Sequence, residues 1–183
     1  DTGRTDEGLP LWERAIDVAL QHETFENAPN MLFNLSVYTY PRNLSRAREI
    51  QLQQLELCKR LNYIAGQAEG WGWLSILDLY RGDWATALEE IQRAVEIHDR
   101  LGLTLPWLFF VRGWLFLSMG ELDRAETDIQ KAVLSSDESR KITQIVGSHL
   151  AMGQLRLEQG REEEAREHFQ ICVDAFRKWE FTT

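Results

Sequence analysis

The sequence predicts an all-α chain, a right-handed superhelical solenoid of antiparallel helix pairs with about nine helices. Three observations predict it. Gly82-Asp83-Trp84-Ala85-Thr86-Ala87, Gly120-Glu121-Leu122-Asp123-Arg124-Ala125 and Gly160-Arg161-Glu162-Glu163-Glu164-Ala165 share the pattern Gly-x-x-x-x-Ala. They recur at roughly 38 to 40 residues, the period of a stacked helical-hairpin array. Each glycine stands between two helix-like segments, where a left-handed residue would end the first helix. Ala47 keeps step, lying about 40 residues before Ala87.

The elements follow in order. Residues 10–22 read as an orphan helix, with Pro10 near its first position and Trp12 and Ala15 facing inward. A first, degenerate hairpin spans about 26–61. Its first helix runs to Tyr40, Pro41 marks its turn, and its second helix runs from about Asn43 to Leu61. Further hairpins are expected at about 64–101, 104–137 and 140–179, all within a single repeat domain of residues 1–183. Asp83, Glu121 and the run Glu162-Glu163-Glu164 fall in first helical turns, where acidic groups meet the positive end of the helix dipole. An odd helix count and an opening Asp-Thr-Gly without Met imply an array cut on its N-terminal side, a piece of a longer protein.

Composition narrows the function. The 183 residues carry a formal net charge of −9 with a pI of about 5.0. No basic patch is present, which argues against nucleic acid as a partner. The longest apolar run, Leu105 to Val111, is too short to span a membrane. Cys58 and Cys172 fit no metal or redox spacing and read as reduced thiols, consistent with a cytoplasmic protein. There is no Gly-x-Ser-x-Gly and no Walker loop. Among His22, His98, His149 and His168, His168 is spaced i, i+4 from Glu164 on one helix with no further His or Cys joining them, and the two read as a surface ion pair. No catalytic residue, cofactor or metal is expected.

The hairpins carry a family resemblance. Trp71 and Leu74 precede Gly82, and Trp84, Ala87, Ile91 and Ala94 follow it. Gly113 and Phe116 precede Gly120, and Ala125, Ile129 and Ala132 follow. Met152 and Gly153 precede Gly160, and Ala165, Phe169 and Cys172 follow. Over roughly residues 64–179 the chain resembles the tetratricopeptide repeat (TPR), whose helix A carries Trp-x-x-Leu-Gly-x-x-Tyr and helix B Ala-x-x-x-Phe-x-x-Ala. The period exceeds the standard one of about 34 residues. In this it resembles the arrays of large bacterial signalling proteins: LuxR-large and maltose-activator-type transcription regulators and multidomain adenylate cyclases. Gly113 and Gly153 would let helix B approach helix A closely.

The resemblance implies a binding role. In such arrays the A helices line a concave groove, which here would hold Tyr80, Trp107, Phe110, Trp114, Leu117 and Gln154. Leu32, Ser36, Tyr40, Glu69, Ile76, Leu79, Leu150 and Glu158 would extend it. The family's Lys- and Asn-based clamp for acidic tails is missing, so an apolar or basic protein segment is the expected partner. A small-molecule effector such as an oligosaccharide, stacking on Trp107 and Trp114, is the alternative. Because Leu103 to Phe116 is apolar nearly all round, it also suits core packing or a homodimer surface. Asp78 and Arg112 interrupt apolar landmarks of neighbouring A helices. They are expected to pair across the stack, or Arg112 to anchor an anionic ligand group.

Overall fold

A computed structural model of the chain describes residues 3–22, 27–103, 105–139 and 141–180, with side chains described for 8–22, 27–103, 105–138 and 141–178. Among these residues nine helices follow one another: α1 (Gly3–Gln21), α2 (Ala28–Thr39), α3 (Leu44–Arg60), α4 (Ile64–Tyr80), α5 (Trp84–Leu101), α6 (Trp107–Ser118), α7 (Leu122–Ser139), α8 (Ile142–Glu158) and α9 (Glu162–Glu180). No described residue lies in a strand.

Three turns are built alike. Gly82, Gly120 and Gly160 hold φ of +80°, +77° and +73°. That conformation costs a residue with a Cβ and leaves glycine unpenalised. The N–H groups of the next residues, Asp83, Glu121 and Arg161, donate to the carbonyls of Asp78, Phe116 and Arg156 at 2.9, 2.8 and 2.8 Å. Carbonyls that a helix C-terminus leaves open are thereby satisfied. The following helices start on caps where the sequence provides them. The Asp83 carboxylate accepts the Thr86 N–H at 3.3 Å, and the Asn43 side chain accepts the Arg46 N–H at 2.9 Å.

The chain divides into two compact units, Asp1–Leu103 and Thr104–Thr183. In the first, α2 pairs with α3 and α4 with α5, and α1 packs on α2. Ile16, Leu32, Leu35, Ile50 and Leu57 form one apolar cluster, while Ala87, Ile91 and Ala94 of α5 are wholly buried. In the second, α6 pairs with α7 and α8 with α9. Here the expected small residues are explained by contact. A Cβ on Gly113 would stand 2.5 Å from Ile129 Cγ1, and one on Gly153 would enter the Phe169 ring.

The first helix departs from expectation. It begins at Gly3, with Pro10 inside it and not at its first position. Leu9, just before the proline, packs with Trp12 and Leu20 against the core, and a helix starting at Pro10 would forgo that burial. Ile16 is buried while Ala15 is exposed, so the inward face lies one residue further along.

Candidate functional site

Helices α2 and α4 of the first unit share an aromatic face. Phe33 of α2 and Tyr40, the residue that caps the end of α2 in helical conformation, are two turns apart, and Trp73 and Tyr80 are two turns apart on α4, so each pair lies on one side of its helix. The four rings form a connected row. Phe33 lies 6.1 Å from Trp73, Trp73 stands edge-on to Tyr40 at 5.7 Å, and Tyr40 lies 5.2 Å from Tyr80. Such tilted and edge-on pairs are the favoured aromatic geometries. Tyr80 keeps 61% of its surface exposed, and the other three rings are half-buried.

A polar chain fixes the middle of the row. Trp73 Nε1–H donates to Ser36 Oγ at 3.0 Å, and Ser36 Oγ–H donates to the Ala47 carbonyl at 2.8 Å. The indole is thus oriented through α2 onto α3. Tyr40 is held above its ordinary pKa by its hydrogen bond to Tyr80 and by burial. Glu69 stands one turn before Trp73 on the same side of α4. It is half-buried, and burial pushes its carboxyl above the usual carboxylate range. No hydrogen bond or ion pair joins it to another described residue.

Ser36 and Leu32, expected on the open face, are instead buried, Ser36 because its hydroxyl is the bridge just described. Trp71 points elsewhere. Its ring is covered by Lys59 of α3 at 5.5 Å and Arg93 of α5 at 4.9 Å, as cation–π partners.

In the second unit, Trp107, Phe110 and Trp114 recur at helical spacing along α6, and all three are half-buried. Phe110 lies over Gly147 of α8, where an added Cβ would come within 3.0 Å of the ring. Gln154, also half-buried, gives a side-chain hydrogen bond to Glu158 at 3.2 Å. Arg112 has another task. Its Nε and Nη2 donate to Asp128 Oδ2 and Oδ1 at 2.6 and 2.8 Å, a bidentate clasp between α6 and α7.

The expected Asp78–Arg112 pair is therefore corrected. Asp78, fully buried, accepts from Arg48 Nε at 2.9 and 3.0 Å and from Arg81 Nη1 at 2.9 Å. Asp128 meets Arg112 within the α6–α7 hairpin, whereas Asp78 is held by Arg48 of α3, from the preceding hairpin, and by Arg81 in its own turn; neither pair joins two neighbouring A helices. The buried Glu90 of α5 completes the Asp78 cluster. Burial and then the charge of Asp78 push its carboxyl up to about 8.

The expected Glu164–His168 pair is corrected as well. His168 Nδ1 meets His149 Nδ1 at 2.8 Å, and His149 Nε2 approaches Asp137 Oδ1 at 3.3 Å. Glu164 is taken by Arg161 at 2.6 Å and by Arg156 at 3.5 Å. Burial, then the neighbouring His149, hold His168 below its ordinary pKa. Among the described residues no three His, Cys, Asp or Glu side chains are grouped to hold a metal ion. Nor is any described helix long and apolar enough to cross a membrane.

Comparison with solved structures gives the helix pairs a common fold. A thermophilic TPR protein from Thermus thermophilus superposes over 95% of this chain and 84% of its own, with a TM-score of 0.70 and 24% identity. The apo form of RapI covers 97% and 78%, with a TM-score of 0.69 and 15% identity. MamA covers 98% and 92%, with a TM-score of 0.61 and 16% identity. No protein-family model and no curated protein sequence matches the chain. The chain has the tetratricopeptide-repeat fold.

In TPR terms α2, α4, α6 and α8 are the A helices, and α3, α5, α7 and α9 the B helices. Tyr80 thus belongs to an A-helix face of the first unit, where it joins Tyr40. Trp107, Phe110, Trp114 and Gln154 belong to A helices of the second. Sequence reasoning passes over Phe33 and Trp73. The signal that finds them is the matched two-turn spacing of Phe33 with Tyr40 and of Trp73 with Tyr80. Trp71 takes the landmark role of the repeat pattern, and that hides Trp73 two residues on.

Proposed function

We propose that this TPR-fold chain is a non-catalytic scaffold that binds a protein or peptide segment on its A-helix faces, within a larger cytoplasmic bacterial signalling or transcription-regulatory protein. The observation that carries the binding role is the row Phe33–Trp73–Tyr40–Tyr80. Apolar ring surface left in water costs about 25 cal/mol per Å², and patches of this kind usually mark interaction sites. Tyr and Trp also dominate the energetics of protein interfaces. The row is rigid because Trp73 is tethered to Ser36 and the rings brace one another. A rigid surface lowers the ordering cost of binding.

The test is selection from a peptide-display library with the wild-type chain and with Tyr80→Ala. A family of related sequences enriched by the wild type, and lost with a variant of unchanged circular dichroism, supports the reading. Equal enrichment by both proteins, or none by the wild type, overturns it.

A further inference from the structure

We infer that the α2/α4 face takes an arginine-bearing segment of its partner, with the guanidinium set against Glu69 and the flanking residues lying on Trp73, Tyr40 and Tyr80. The inference rests on the binding role proposed above and names the chemistry of the partner.

Three observations carry it. Glu69, Trp73, Ile76 and Tyr80 recur at intervals of about one turn and so form one stripe along α4. The carboxylate stands at the head of that stripe, the exposed Tyr80 at its foot. Second, Glu69 is half-buried with no hydrogen bond or ion pair to another described residue. A partly desolvated carboxylate without a counter-charge is costly, and a cation from outside relieves that cost. The upward displacement of its pKa by burial agrees with this.

Third, the face has the charge for a cation. α2 contains no charged residue, and α4 contains only Glu69 and Asp78. Asp78 is buried under Arg48 and Arg81, so it offers nothing outward. Arg81, next to Tyr80, is held by that same carboxylate. The exposed ring faces are themselves electron-rich and attract cations. Arginine fits better than lysine, because its planar guanidinium both stacks on rings and matches a carboxylate.

The test uses the whole chain and three fluorescein-labelled peptide pools of equal length and apolar content. One carries arginine, one no charge and one aspartate, and binding is read by anisotropy. The arginine pool is expected to bind roughly tenfold more tightly than the neutral pool. Glu69→Gln should erase that difference while leaving the neutral pool unaffected. Glu69→Lys, with its folding confirmed by circular dichroism, should turn the preference toward the aspartate pool. Equal binding of the arginine and neutral pools by the wild type overturns the inference, as does a preference that survives Glu69→Gln. If the neutral pool binds wild type, is lost with Tyr80→Ala and no charge preference exists, the scaffold reading stands and this inference falls. If no pool binds, both fall.

Discussion

Tyr80 and Arg112 show how differently two side chains of A helices are used. Tyr80 leans on Tyr40 and leaves most of its ring in solvent. Replacing it with alanine should therefore change stability by less than about 1 kcal/mol while removing peptide binding. Thermal melting and anisotropy on the same variant check both halves. Arg112 is committed to Asp128 at 2.6 and 2.8 Å, with the carboxylate almost wholly buried. Asp128→Ala strands the guanidinium, and the expected loss is about 3 kcal/mol by urea unfolding. The residue types at both positions were legible in the sequence, but the partner of Arg112 was not. Repeat spacing brings Asp78 to mind because it interrupts the neighbouring A helix. Which way a polar side chain turns depends on the carboxylate nearest in space, and Asp128 looks like any surface acid of helix B until the hairpin closes.

At the scale of elements, the turns were the most readable feature. A glycine forced to φ near +77° answers a local demand that needs no knowledge of the rest of the chain. The close helix contacts were readable for the same reason. Gly113→Ala should cost about 1–3 kcal/mol, because the new methyl meets Ile129, a β-branched side chain with little rotamer freedom. A lowered urea midpoint with an unchanged m-value would verify it. Asn43→Ala, which removes the α3 cap, should cost about 1 kcal/mol in the same assay. The start of α1 was misread because the proline rule is general, while the reward for extending past Pro10 is the particular burial of Leu9. Stripe membership was half legible. Spacing places Trp73 with Tyr80, yet only the bond to Ser36 shows that the α2 hydroxyl is buried and the indole held.

For the whole molecule, buried titrating groups shape stability against pH. Glu90 is raised from 4.5 to about 8 in the folded state, so folding favours its protonated form. Its contribution is complete below pH 4.5 and is lost as pH rises toward about 8. His168 acts oppositely. Its folded pKa lies below the ordinary 6.5, so stability is complete above that pH and falls as the solution becomes more acidic. Chemical denaturation across a pH series should show an alkaline limb, in which stability falls toward about pH 8 because Glu90 must ionise, and an acidic one below 6.5, where the cost of charging His168 opposes the gain from Glu90. Glu90→Gln, which mimics the protonated acid, should flatten the alkaline limb and leave the acidic one to His168. An unchanged alkaline limb in that variant would count against the buried-acid account. None of this was visible in composition. The formal charge of −9 counts Glu90 like any other acid, whereas Glu90 and His168 owe their behaviour to burial and then to neighbouring charged groups.

One turn between helices bears on how the protein ages. Between α3 and α4 the left-handed position is filled by Asn62, at φ 53°. An asparagine deamidates when the backbone nitrogen that follows it attacks its side-chain carbonyl and closes a five-membered ring. Here that nitrogen belongs to Tyr63, whose N–H is donated to the Cys58 carbonyl at 2.8 Å. To cyclise, the turn must first open and give up the bond that ends α3. The hydrogen bond that terminates the helix therefore also slows the chemical clock of Asn62, and that protection lasts as long as the chain stays folded.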